Sequence, residues 1–208
     1  MNMIDGKGTL EPDLEFLRAL VDGGGNKTQY LTGHAFVVGG SLYAFQCIAN
    51  WLLIIFALNM PGPAWLVLHI LPTVIFIVYC IWQGMRYGIG NTGNATSRAI
   101  TAAFQAAGVT NLALILIFAP AAIARNDFTI WLFHPAIVFA LQGAAWLTAF
   151  QLRRRVWLLG VALGWMASAI ALGLLIGSLT YLLVAGLALF FFMTVPGIVM
   201  MRLSKKQD

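Results

Sequence analysis

The chain alternates long apolar runs with short polar connections, and this pattern predicts six membrane-spanning helices. Each run has the roughly 20 residues that an α-helix needs to cross the hydrocarbon core of a bilayer. The runs fall at about 34–58, 63–85, 99–123, 128–151, 156–177 and 179–202. We assign residues 1–31 to an N-terminal aqueous segment, 32–203 to a transmembrane domain and 204–208 to a C-terminal tail. The predicted fold class is an all-α membrane protein, a six-transmembrane-helix bundle.

The aqueous segment before the first run contains a short helical pattern. Between Pro12 and Val21 the apolar side chains recur on one face and the charged ones on the other, as in an amphipathic helix. The run Gly23-Gly24-Gly25 that follows predicts its end. Such a helix rests on the membrane surface or docks on a cytoplasmic or membrane partner.

Composition excludes a soluble protein. Hydrophobic residues make up 61% of the chain and charged residues 9%, against roughly 45–50% and 25% in soluble domains. Mean hydropathy is +0.87. Of the 7 acidic residues, five precede the first run, and the 12 basic residues lie mostly in the connecting segments. The net charge of +5 therefore indicates membrane topology and lipid contact, not binding to nucleic acid.

The positions of Lys and Arg predict the orientation of the chain. In the predicted topology Arg125 is the single basic residue on one side of the membrane, and the other 11 lie on the opposite side. Because basic residues are enriched in cytoplasmic segments, both termini are expected in the cytoplasm. We expect a multi-pass protein of a bacterial inner (plasma) membrane.

Several catalytic mechanisms lack the residues they require. From residue 23 to 207 the sequence has one acidic residue, Asp127, and no Lys lies between Lys27 and Lys205. A carboxylate proton relay and a lysine Schiff base are therefore not expected within the bilayer. No HExxH zinc-protease motif is present. We predict that the protein is not an enzyme and that it holds no metal.

The candidate site is a group of polar residues in the outer half of spans 1–4. At a rise of about 1.5 Å per residue, Asn50, His69 and His134 lie about 6–9 Å outward of their span centres. Asn111 lies near the centre of span 3, and Thr73 shares a face with His69. Polar groups inside a bilayer need partners. We predict that the five form a pocket that binds, passes or senses a small solute.

Three alternatives to the pocket remain open. The same side chains could simply join helices through hydrogen bonds. His69 and His134 could ligate a b-type haem in an electron-transfer or redox-sensing subunit, whereas the pocket hypothesis needs no cofactor. The chain could also be a structural or regulatory subunit of a larger membrane complex.

Span 5 carries a stripe of small residues that suits close helix packing. Gly160, Gly164 and Ser168 recur at intervals of four, a spacing that lets backbones approach each other. The stripe could pack against span 6 or form the interface of a homodimer.

Overall fold

The computed structural model describes the backbone of residues 10–87 and 95–205, and the side chains of 27–87 and 95–205. Within these residues the chain is helical and contains no strand. Six helices are long and apolar enough to span a membrane, which confirms the predicted all-α class. They are α1 Leu10–Ile55, α2 Gly62–Tyr87, α3 Ala95–Arg125, α4 Phe128–Arg153, α5 Val156–Leu174 and α6 Tyr181–Lys205, the last including a π-helical turn at Phe190–Thr194.

Helix α1 continues through the glycine run where the sequence predicted its end. It is helical without a break from Leu10 to Ile55, so the predicted stop at Gly23-Gly24-Gly25 is wrong. A glycine weakens a helix by about 1 kcal/mol relative to alanine, but it keeps its N–H and does not break the hydrogen-bond ladder. The side chains before Lys27 lie outside the described residues, so the amphipathic face and its partner stay predictions.

The bundle has a well-packed part and a peripheral part. Helix α1 packs along α6, and α4 packs between α3 and α5, whereas α2 packs mainly against α1. The largest fully buried side chains are Trp146, Trp165 and Leu172, on α4 and α5. Helix α2 buries only Pro72 and Gln83. Its remaining surface is strongly apolar, as expected for contact with lipid.

Helices α1 and α6 approach each other closely at a pair of glycines. A Cβ atom added to Gly33 would lie 2.7 Å from the carbonyl oxygen of Gly197, and one added to Gly197 would lie 2.6 Å from the carbonyl oxygen of Gly33. The two backbones are therefore in direct contact, as small residues allow in membrane helices. Nothing in the sequence analysis had singled out this pair.

The small-residue stripe of α5 is largely used inside the chain. Gly164 lies against the ring of Phe192 on α6, and the Ser168 hydroxyl donates to the Gly164 carbonyl at 2.7 Å. Gly160 faces open space. The homodimer stays a prediction, and Gly160 is the one residue of the three with room for a partner helix.

One end of the bundle carries most of the positive charge. There α1, just after Lys27, and the start of α3 meet the ends of α2, α4 and α6. The contacts are hydrogen bonds from Gln83 to Leu31, from Arg153 to Gln29 and Ser97, and from Gln29 to Met200. We call it the basic end. Its described basic residues are Lys27, Arg86, Arg98, Arg153, Arg154, Arg155, Arg202 and Lys205.

Candidate functional site

The five residues predicted to form an outer pocket are divided between two helix pairs. Asn111 and His134 are brought together, with Asn111 Oδ1 lying 2.8 Å from His134 Nε2. Trp131 stacks on the His134 ring at a centroid distance of 4.7 Å. Thr73 instead accepts a hydrogen bond from the Tyr43 hydroxyl at 3.4 Å, between α1 and α2. The predicted group is thus one α3–α4 pair and a separate α1–α2 contact.

The side chains of His69 and Asn50 form their hydrogen bonds within their own helices, and the His69 carbonyl accepts one from Gln46 Nε2 on α1 at 3.3 Å. His69 Nδ1 lies 2.9 Å from the Trp65 carbonyl oxygen, and Asn50 Nδ2 donates to the Gln46 carbonyl at 2.9 Å. Helix α2 packs against α1, whereas the helix of His134 packs between α3 and α5. These contacts do not bring the His69 and His134 rings together, so they give the haem alternative no support.

Polar side chains hold the basic end of α2 against α1. The Tyr79 hydroxyl lies 2.6 Å from His34 Nδ1 and accepts a hydrogen bond from Gln83 Nε2 at 2.8 Å. Gln83 Nε2 also donates to the Leu31 carbonyl at 3.0 Å. Interhelical hydrogen bonds of this kind contribute about 0.6 kcal/mol each in membrane proteins. The network therefore helps to hold α2 against α1.

A small cavity lies at the basic end, between α1, α3, α4, α5 and α6. Its volume is about 30 Å³, which is room for roughly two water molecules. We call it the basic-end cavity. It is lined by Thr28, Gln29, Thr32, Ser97, Ile100, Thr101, Phe104, Trp146, Ala149, Arg153, Trp157, Leu158 and Met200.

Aromatic rings close the cavity toward the middle of the bundle. Phe36 packs on Phe104 at 4.9 Å and on Trp146 at 5.4 Å between ring centroids, and Phe104 packs edge-on against Trp146 at 5.3 Å. Such edge-to-face contacts are favourable. All three residues are buried or half-buried. The cavity therefore ends at an apolar layer.

Arg153 points its guanidinium at neutral partners. Its Nη1 donates to Gln29 Oε1 at 2.5 Å, and its Nη2 donates to Ser97 Oγ at 3.4 Å. Gln29 is itself held, because its Nε2 donates to the Met200 carbonyl at 3.2 Å. The guanidinium has five N–H donors and no acceptor, so these two bonds leave donor capacity unused.

No carboxylate neutralises Arg153 within residues 27–87 and 95–205. The single acidic residue in those ranges is Asp127, which caps the opposite end of α4, roughly 39 Å away at 1.5 Å per residue. Hydrogen bonds from the side chain and backbone of Thr129 hold the pKa of Asp127 below its usual value. The Asp127 carboxylate therefore caps the start of α4 and is too far away to pair with Arg153.

Two tryptophans that line the cavity carry buried N–H groups without an acceptor. Trp146 Nε1 and Trp157 Nε1 are buried and have no hydrogen-bond partner. An indole nitrogen is a donor only, and a buried donor without a partner costs about 1–3 kcal/mol. The sequence analysis had not identified Trp146 and Trp157 as hydrogen-bond donors beside a cavity. The spacing offered a signal, because Trp146 and Arg153 are seven residues apart and share one face of α4.

The unused hydrogen-bonding capacity of these three side chains is of one kind. The Arg153 guanidinium and both indole groups donate, and the guanidinium is positively charged. A molecule that satisfies them must accept hydrogen bonds and is favoured by a negative charge. The arrangement can therefore hold an anion.

Comparison of the chain with protein-family models, with curated proteins and with solved structures finds no match. The class of protein is therefore defined by the fold alone. The part of the chain that the structure describes is helical, without strands, and includes six helices long and apolar enough to cross a membrane.

Proposed function

We propose that this chain is a non-enzymatic polytopic membrane protein that binds a small anion in the basic-end cavity. One observation carries the proposal: Arg153 lines the same cavity as Trp146 and Trp157, whose buried indole N–H groups have no hydrogen-bond partner. The outer pocket of the sequence analysis is not part of this proposal, because its hydrogen bonds fall into two separate groups. Asn111 pairs with His134, and the other three residues make their bonds on α1 and α2.

The electrostatics of the basic end favour an anion. The described basic residues gathered there attract negative charge toward the cavity. Ser97 and Trp157 lie in the first turns of α3 and α5, where the exposed backbone N–H groups give a helix a partial positive charge. The ends of α4 and α6 carry the opposite partial charge, and Arg153 and Lys205 lie in those last turns.

Binding or sensing suits this cavity better than passage. The layer of Phe36, Phe104 and Trp146 closes it on the membrane side, and an apolar layer is a barrier to an ion. With the orientation expected from the basic residues, the cavity would open toward the cytoplasm. The protein would then bind or sense an anion from the cytoplasmic side of the membrane.

The test is anion-dependent stabilisation of the purified protein. We expect chloride, acetate or phosphate to raise the unfolding temperature of the wild type, since a ligand at 100 times its Kd stabilises a fold by about 2.7 kcal/mol. That corresponds to a rise of roughly 5–10 °C for a chain of this size. The rise should disappear in Arg153→Gln.

Arg155→Gln is the matched control, because it removes the same charge from an exposed residue two positions away. It should keep the full rise in unfolding temperature. A rise of equal size in all three proteins would be a general salt effect and would contradict the proposal. So would the lack of any rise in the wild type.

A further inference from the structure

We infer that the anion held in the basic-end cavity is a single phosphate group, with its remaining substituent, if any, left outside. The inference rests on the proposed function and specifies the chemistry of its ligand. Two sources carry the same group: the headgroup of an anionic phospholipid, and free phosphate.

The size of the cavity limits what enters it. A volume of about 30 Å³ has room for roughly two water molecules or two oxygen atoms of a ligand. The body of an organic solute does not fit. Two oxygens of a phosphate fit, and the rest of that group can remain at the mouth.

The arrangement of donors favours phosphate over chloride or a carboxylate. The guanidinium fork of Arg153 keeps N–H groups beyond those bonded to Gln29 and Ser97, and such groups pair well with phosphate oxygens. The indole N–H groups come from two different helices, Trp146 on α4 and Trp157 on α5. A tetrahedral group has oxygens left for donors outside the plane of the fork. A carboxylate has two oxygens to share among the same donors, and chloride is a single centre.

The depth of the cavity agrees with the depth of lipid phosphates. Arg153 is the last residue of α4, and Trp157 is the second residue of α5, so both lie where the spans leave the hydrocarbon core. Basic and tryptophan side chains at this level meet the headgroups. Lys27 and Arg98 are exposed around the same end, and basic residues next to spans attract anionic lipids.

The experiment measures unfolding temperature and retained ligand mass for the full-length protein in detergent. The probes are inorganic phosphate, short-chain phosphatidic acid, short-chain phosphatidylglycerol, acetate and chloride. We expect at least tenfold tighter apparent binding for one or more of the phosphate probes than for acetate and chloride. Binding should be lost in Arg153→Gln and kept in Arg155→Gln.

Trp157→Phe tests the indole donor separately, because it removes the N–H and keeps an aromatic ring. We expect it to weaken phosphate binding about tenfold and to leave the unfolding temperature without ligand within a few degrees of the wild type. Unchanged phosphate affinity in Trp157→Phe would overturn the assigned geometry.

The outcomes separate the two proposals. Binding of the lipids but not of inorganic phosphate identifies a lipid headgroup as the source, and equal binding of both identifies free phosphate. If acetate or chloride matches the phosphate probes and still depends on Arg153, the phosphate inference is wrong and the anion-binding function stands. If no anion acts through Arg153, both are wrong.

Discussion

Gly197→Leu should be among the most destabilising single substitutions in this protein. Even a Cβ atom at Gly197 would lie 2.6 Å from the Gly33 carbonyl oxygen, and a backbone atom cannot move aside as a flexible side chain can. The α1–α6 pair would have to separate along its length. Overpacking costs about 1–3 kcal/mol and sometimes more, so we expect a fall in unfolding temperature of roughly 2–12 °C, measured in detergent.

Gly108→Leu is the control for this effect. Nothing lies within 4 Å of a Cβ atom added to Gly108 on α3, and leucine favours the helix more than glycine does. Gly108→Leu should therefore leave the unfolding temperature unchanged or slightly raised. Equal destabilisation by the two substitutions would show that α1 and α6 do not meet at Gly33 and Gly197.

Trp165→Ala should destabilise the α5–α6 packing by about 3–5 kcal/mol. Trp165 is 1% exposed and packs edge-on against Phe139 at 4.7 Å. Its indole N–H also donates to the Phe192 carbonyl at 2.9 Å. Phe192 lies in the π-helical turn of α6, where the regular helical hydrogen-bond pattern changes.

Two further substitutions separate packing from the hydrogen bond. Trp165→Phe keeps much of the ring volume and leaves the Phe192 carbonyl without this donor, so about 1–3 kcal/mol of the loss should remain. Trp82→Ala removes a tryptophan that is 54% exposed and should change the unfolding free energy little. A loss for Trp82→Ala as large as for Trp165→Ala would contradict the assignment of the core, with all three compared by denaturant titration.

The helices were predictable because hydrophobicity over about 20 residues is a strong signal. The six runs of the sequence correspond to α1–α6, with ends that differ by a few residues. The exception is the start of α1, where three glycines indicated an end and the helix continues. The low helix propensity of three glycines is a weak effect, and it does not interrupt the backbone hydrogen bonds of a continuous helix.

The site was not predictable from depth along each span. Depth placed His69 and His134 in the same outer half, but the rotation of each helix decides which side chains meet. The His69 ring instead stacks on the Trp65 ring of its own helix, with 4.1 Å between ring centroids. Rotation depends on packing partners such as Gly33 and Gly197, whose contact joins helices distant in sequence.

The basic-end cavity was not predicted because each residue that lines it has an ordinary explanation when it is considered alone. Arg153 was counted toward topology, and Trp157 fits an interfacial anchor. Only their common cavity, together with indole groups that lack acceptors, distinguishes them. The seven-residue spacing of Trp146 and Arg153 was visible in the sequence, whereas the contribution of α5 was not.

The most direct test observes the indole N–H groups themselves. The chain has 7 tryptophans, so a ¹H–¹⁵N correlation NMR spectrum of ¹⁵N-labelled protein in detergent should contain seven indole signals. We predict that added phosphate shifts the Trp146 and Trp157 signals downfield, as new hydrogen bonds do. The Trp165 signal should stay in place because its N–H already donates to Phe192. Unmoved Trp146 and Trp157 signals at saturating phosphate, or equal shifts of all seven, would contradict an anion site in the basic-end cavity.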